Sequence, residues 1–140
     1  MESIVIVREA QDMEFVAIVI VLALIQYTAF GLLVGRARGK YNCPAPASSG
    51  DPVFERYYRV HANTGEQLLV FLPAILIYGY YGNPLIAALA GLLYIVGRLV
   101  YLQGYVKDPA KRSLGFMIGF FPMIFLLLAG AVAALRSLLA

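Results

Sequence analysis

The sequence predicts an all-α membrane protein, a bundle of four transmembrane helices in one domain covering residues 1–140. Hydrophobic residues make up 61% of the chain and mean hydropathy is +0.79, whereas soluble domains hold roughly 45–50% apolar residues because they must cover themselves with polar surface. The apolar residues fall into blocks long enough to cross a bilayer, which takes about 20 residues. Short segments rich in proline, glycine and basic side chains separate these blocks.

The first block, Met13–Val34, is almost purely aliphatic. It is too long for a signal-peptide core, and Glu2, Glu9, Asp12 and Glu14 precede or open it with only Arg8 positive, so it reads as the first spanning helix and not as a secretory leader. A loop is expected from Gly35 to Pro52, carrying Arg36, Arg38 and Lys40 and then Pro44, Pro46 and the turn-forming Ser48 to Pro52. The second helix is expected at 53–81, with Asp51 as N-cap, Pro52 at the first helical position and Pro73 as a candidate kink. Gly82, Asn83 and Pro84 form a short turn into a third helix at 84–106. Lys107 to Arg112 lead into a fourth at 113–135, which contains Pro122.

Charge placement gives an orientation. The segments after helices one and three carry Arg36, Arg38, Lys40, Lys107, Lys111 and Arg112, and the turn after helix two has no Lys or Arg. By the positive-inside bias both basic segments are expected to be cytoplasmic, with both termini on the opposite side. The net charge of +3 is modest and includes no basic run interleaved with aromatics, so nucleic acid is not an expected partner. Cys43 is the single cysteine and His61 the single histidine, which argues against a disulfide, a thiolate cluster or a multi-histidine metal site.

The polar residues inside the helices are periodic. Arg56, Arg59, Asn63 and Glu66 lie at offsets of three, seven and ten, and Tyr94, Arg98, Tyr101 and Tyr105 at offsets of four, seven and eleven, each set within one narrow helical face. Both stripes end at the same basic surface. A charge at the bilayer centre costs about 2.5–3.5 kcal/mol on insertion scales, so Arg59, Glu66 and Arg98 must face protein or water. One reading is an internal ion-pair network, Glu66 with Arg98, beside arginines that snorkel to the headgroups. The other is a pocket for an anion or a zwitterion. Guanidinium groups pair bidentately with carboxylates, Asn63 both donates and accepts, tyrosine hydroxyls hydrogen-bond, and Glu66 would hold an ammonium group.

Phe54 to Glu66, with Glu55, Arg56, Arg59, Asn63 and Glu66 at fixed spacing, resembles the ERxxRxxxNxxE signature of the MAPEG family, membrane-associated proteins in eicosanoid and glutathione metabolism. Gly97 to Tyr105 resembles the family's GRxxYxxGY segment. The resemblance, to a bacterial-type, microsomal glutathione transferase-like member, implies a homotrimer of four-helix subunits that binds glutathione between neighbours near the cytoplasmic face. In a bacterium this would be the cell inner membrane. It implies that Arg59, Asn63, Glu66, Tyr101 and Tyr105 hold the tripeptide, and that Glu55, Arg56 and Arg98 are structural. Arg112 matches the arginine that stabilises the glutathione thiolate in the family's leukotriene-forming members. The alternative reading of Arg112 is a topology charge beside Lys107 and Lys111. Arg36 or Arg38 would cross from a neighbouring subunit. Two positions depart from the pattern of several members: Gln67 stands in place of a tyrosine, and His61 in place of a glutamine. Both border the implied tripeptide site, and His61 reads as an interface histidine ahead of a catalytic base.

The expected function is therefore that of a glutathione transferase or peroxidase, with glutathione as co-substrate and no metal. Its second substrate would be a lipophilic electrophile or lipid hydroperoxide arriving from membrane lipid. Two alternatives stay open: a non-catalytic lipid-binding member of the family, and a small multidrug transporter. The transporter would want a carboxylate in the middle of helix one, where Glu14 sits only at the edge.

Overall fold

A computed structural model describes the backbone of residues 2–140 and the side chains of residues 12–140. The side chains of Glu2, Arg8 and Glu9, on which the acidic flank of helix one partly rests, lie outside the described residues. The helices are α1 (Glu2–Lys40), α2 (Pro52–Tyr81), α3 (Pro84–Lys107) and α4 (Arg112–Leu139), with a 3-10 turn at Pro109–Lys111 before α4. All four are long and apolar enough to cross a membrane.

Helix α1 exceeds its expected range of 13–34 at both ends, and the expected loop from Gly35 begins six residues late, at Tyr41. Arginine and lysine are good helix formers and suit the negative end of the helix dipole, so Arg36, Arg38 and Lys40 extend the helix and do not end it. Gly35 and Gly39 are exposed there and only weaken it. What ends α1 is Asn42 in the left-handed conformation (φ 53°). That geometry turns the Cys43 N–H back onto the Arg38 carbonyl at 3.0 Å, the six-to-one bond of a Schellman cap.

The remaining ends follow their capping residues. The Asp51 carboxylate accepts from the N–H groups of Val53 (2.8 Å) and Phe54 (3.3 Å). Glu55 accepts from Gly50 N–H at 2.8 Å, which fixes the loop against the start of α2. Asn83 Oδ1 accepts from Ile86 N–H at 3.0 Å to open α3, and Asp108 accepts from Ala110 N–H at 3.0 Å to open the 3-10 turn. Both α2 and α4 are assigned as continuous helices through Pro73 and Pro122. Helix α4 continues past 135 because Arg136 to Leu139 contain no breaker.

Helix α2 packs on the other three, and α3 also touches α1 and α4. In the core the Phe71 and Tyr94 rings stack at 4.0 Å between centroids, among Val16, Ile75 and Leu126. Outward residues such as Leu69 (79% exposed) and Leu128 (61%) are apolar, as a lipid-facing surface requires. The α3–α4 seam is the tightest. Gly97 lies against the backbone of Gly119, and Gly115 against the backbone of Tyr101, so close that a Cβ at either position would overlap main chain. Small residues four apart on α4 bring the two backbones together, the usual device of membrane helix pairs.

Candidate functional site

The close α3–α4 seam sets the first turns of α4 beside the end of α3, and α2 completes a cavity of about 580 Å3 at the basic end. Five residues singled out from the sequence line it: Arg59 and Asn63 from α2, Tyr101 and Tyr105 from α3, and Arg112 from α4. The Tyr101 and Tyr105 rings lie 5.5 Å apart, and the Arg112 guanidinium stands over the Tyr105 ring at 5.9 Å. Arg112 also donates to the Pro109 carbonyl at 3.1 Å, which anchors it to the turn that precedes its own helix. Arg59 and Arg112 are exposed, whereas Tyr101 is buried.

Three further liners, Ser113, Phe116 and Met117, were not foreseen. They occupy the α4 face that Arg112 opens, so helical spacing from Arg112 points to Phe116 four residues on. With them the cavity has two characters. Cationic and hydroxyl groups line one part, and an aromatic and a thioether side chain line the other.

Arg98 holds this arrangement from behind. It is fully buried, with its guanidinium 4.2 Å from the centre of the Tyr101 ring. Nη2 donates to Asn63 Oδ1 (3.0 Å) and Thr64 Oγ1 (2.8 Å), Nε to Thr64 Oγ1 (3.2 Å) and Nη1 to Gln67 Oε1 (3.2 Å). Thr64 in turn donates to the Val60 carbonyl at 2.7 Å. The expected Glu66–Arg98 ion pair is replaced by this set of neutral acceptors, since Glu66 points to the exposed side of α2. Glu66 is joined to the cluster only through Asn63, whose Nδ2 donates to Glu66 Oε2 at 3.4 Å.

The α2 stripe is thus divided among three tasks. Arg56 donates to the carbonyls of Val106 (3.0 Å) and Lys107 (3.3 Å), satisfying the last turn of α3. Arg59 and Asn63 face the cavity, and Glu66 faces outward. Gln67 is buried against Arg98 and does not line the cavity. His61 lies on the α1 side, stacked on Tyr27 at 4.4 Å. Arg38, in the last turn of α1, is held by the loop that follows, donating to the carbonyls of Ala47 (2.6 Å) and Cys43 (3.2 Å) and lying 4.9 Å over the Phe54 ring. Arg36 is exposed. A second cleft of about 540 Å3, on the side of the α1–α2 loop, shares Arg59 and Tyr105 with the first and adds Ser48, Ser49 and Glu55. Among the described residues no three His, Cys, Asp or Glu side chains form a group able to hold a metal.

Comparison with known proteins agrees with this architecture. The model of the MAPEG family matches residues 16–132. The chain is 38% identical to an uncharacterized protein of Synechocystis over 122 residues, covering 87% of this chain and 89% of the relative. It is 37% identical to human microsomal glutathione S-transferase 2 over 123 residues, covering 88% and 84%. It is 34% identical to bovine leukotriene C4 synthase over 101 residues, covering 72% and 67%. The matched residues run from the first turns of the α1 core to the last third of α4 and enclose every residue that lines the cavity at the basic end, so this chain belongs to the MAPEG family.

Proposed function

We propose that the protein is a membrane glutathione transferase that also reduces lipid hydroperoxides. The observation that carries this reading is the convergence of Arg59, Asn63, Tyr101, Tyr105 and Arg112 on one cavity whose remaining wall is Ser113, Phe116 and Met117. The names of two relatives, a glutathione S-transferase and a leukotriene C4 synthase, support it. Arg59 and the tyrosine hydroxyls meet the tripeptide's carboxylates, and Glu66, held near Asn63, meets its ammonium group.

Arg112 acts on the sulfur. A free thiol has a pKa of about 8.5, and a neighbouring guanidinium favours its anion, which is the nucleophile. In conjugation the thiolate forms a carbon–sulfur bond and the leaving group departs with its electron pair. In peroxide reduction the thiolate attacks one peroxide oxygen, the O–O bond breaks and the alkoxide takes a proton. A second glutathione then converts the sulfenic acid to disulfide and water. The lipophilic partner enters along Phe116 and Met117 from the bilayer.

Two further parts belong to this reading. Glu66 is exposed on a membrane-spanning helix, a costly position in lipid, and a neighbouring subunit of a homotrimer would cover it. Arg36 is then the helix-one arginine offered across that interface, because Arg38 is engaged by carbonyls of the loop after α1. The basic end is cytoplasmic by its Lys and Arg content, which in a bacterium sets the protein in the inner membrane.

The test uses purified protein in nanodiscs, titrated with glutathione while thiolate absorbance and conjugation of an aromatic electrophile are followed. Saturable thiolate formation with conjugation is expected. A wild-type protein that neither binds glutathione nor conjugates the electrophile would sink the proposal.

A further inference from the structure

The opposite end of the bundle holds a cleft that the proposed chemistry does not use. It measures about 680 Å3 and lies between the second half of α4 and the α2–α3 turn. Its lining includes Arg136 and Ser137 of α4, Tyr78 and Tyr81 of α2, Asn83 of the turn and, deeper, Leu128. Among the described residues no aspartate or glutamate side chain lines it.

We infer that this cleft binds the headgroup of an anionic membrane phospholipid, with phosphate at Arg136 and an acyl chain running past Leu128. Depth supports the assignment. Arg112 and Arg136 stand at the two ends of α4, about 36 Å apart at 1.5 Å per residue. A hydrocarbon core is about 30 Å thick, so with Arg112 in one headgroup layer Arg136 lies in the other. The α4 residues between them carry no charge. Tyr78 and Tyr81 match the aromatic belt found at such an interface.

The donor set supports an anion. Asn83 Oδ1 already accepts from Ile86 N–H, which leaves the Asn83 amide nitrogen as the group able to serve a ligand. Arg136, Asn83 Nδ2 and the Ser137 hydroxyl then give a rim of donors around a fork suited to phosphate. Eight residues before Arg136, Leu128 lies about 12 Å further into the bilayer, at acyl-chain depth.

Native mass spectrometry of delipidated protein, titrated with equal amounts of phosphatidylglycerol and phosphatidylcholine, tests the site. Wild type is expected to take up one phosphatidylglycerol per chain with at least fivefold preference. Arg136→Gln removes that preference. Asn83→Asp keeps the oxygen that caps α3 but replaces the donor with a negative charge, and it removes the preference too. Lys107→Gln, at the other membrane face, leaves it intact. Circular dichroism of each variant confirms that the helices persist. The inference is overturned if Arg136→Gln binds as wild type does, if Lys107→Gln loses the lipid instead, or if the two lipids bind equally. It is also overturned if inorganic phosphate alone displaces the lipid, which would make the site one for a free anion. A second copy of the chain covering the cleft would show as no lipid uptake that depends on Arg136, and that result overturns it as well.

Discussion

Arg98 Nη2 donates to Asn63 Oδ1 at 3.0 Å across the α2–α3 contact, so a residue that never reaches the cavity fixes one that lines it. The bond decides which way the Asn63 amide faces. Its oxygen is engaged behind the wall, and its nitrogen is turned toward Glu66.

Replacing Arg98 by lysine should therefore weaken thiol binding while leaving the reacting groups in place. A single ammonium cannot satisfy Asn63, Thr64 and Gln67 together, and each buried polar group left without a partner costs about 1–3 kcal/mol. Thermal unfolding in detergent should show lower stability. Steady-state kinetics should show KM for glutathione raised about tenfold or more with a smaller change in kcat. A kcat loss at constant KM would contradict the positioning role.

Arg112→Ala should do the reverse. Loss of a group that stabilises developing charge typically lowers turnover about 10²–10³-fold, while Arg59 and Asn63 still hold the tripeptide. Equilibrium dialysis with labelled glutathione should show near-normal affinity alongside loss of the thiolate absorbance. Retention of that absorbance would return Arg112 to the part of a topology charge.

Phe116→Ala separates the two halves of the cavity. The affinity for glutathione should hold within about twofold, whereas KM for a lipophilic electrophile should rise, by up to about 1.5–3 kcal/mol of lost apolar contact for a fully buried side chain. The dependence should steepen with the acceptor's chain length. Equal KM values for short and long electrophiles would mean that the acceptor lies elsewhere.

Two glycine substitutions form an internal comparison. At Gly115 a Cβ would overlap the Tyr101 backbone, so Gly115→Val should destabilise by at least about 1–3 kcal/mol and disturb the cavity at once. At Gly35 nothing lies within 4 Å of the added carbon, so Gly35→Ala should stabilise helix α1 by roughly 0.5–1 kcal/mol. Chemical denaturation followed by circular dichroism ranks the two. Similar effects at both sites would refute the close-packed seam.

Much of this was legible because charge on an apolar background stands out. Arg59 and Asn63, and Tyr101 and Tyr105, are each four apart, and the structure brings all four to one cavity. Phe116 and Met117 gave no contrast, because α4 is apolar all round and every face looks alike in sequence. The partners of Arg98 were missed for a related reason. Charge pairing suggested Glu66, but a buried guanidinium needs acceptors of matching geometry, and the hydroxyl of Thr64 and the amides of Asn63 and Gln67 supply them. The end of α1 was misplaced because its glycines look like breakers, while the decisive residue, Asn42, acts through its backbone conformation.

The glycine seam has one more consequence. Where two helices meet through side chains, rotamer changes let them drift apart or settle closer; Gly97, Gly115 and Gly119 leave α3 and α4 no such play. The spacing between the tyrosine ledge and the start of α4 is therefore set by main chain, as rigidly as the jaw of a fixed gauge. On the proposed function, acceptors of different girth would be accommodated by movement of α2 or by the side chains of Phe116 and Met117, and not by any change in the α3–α4 spacing.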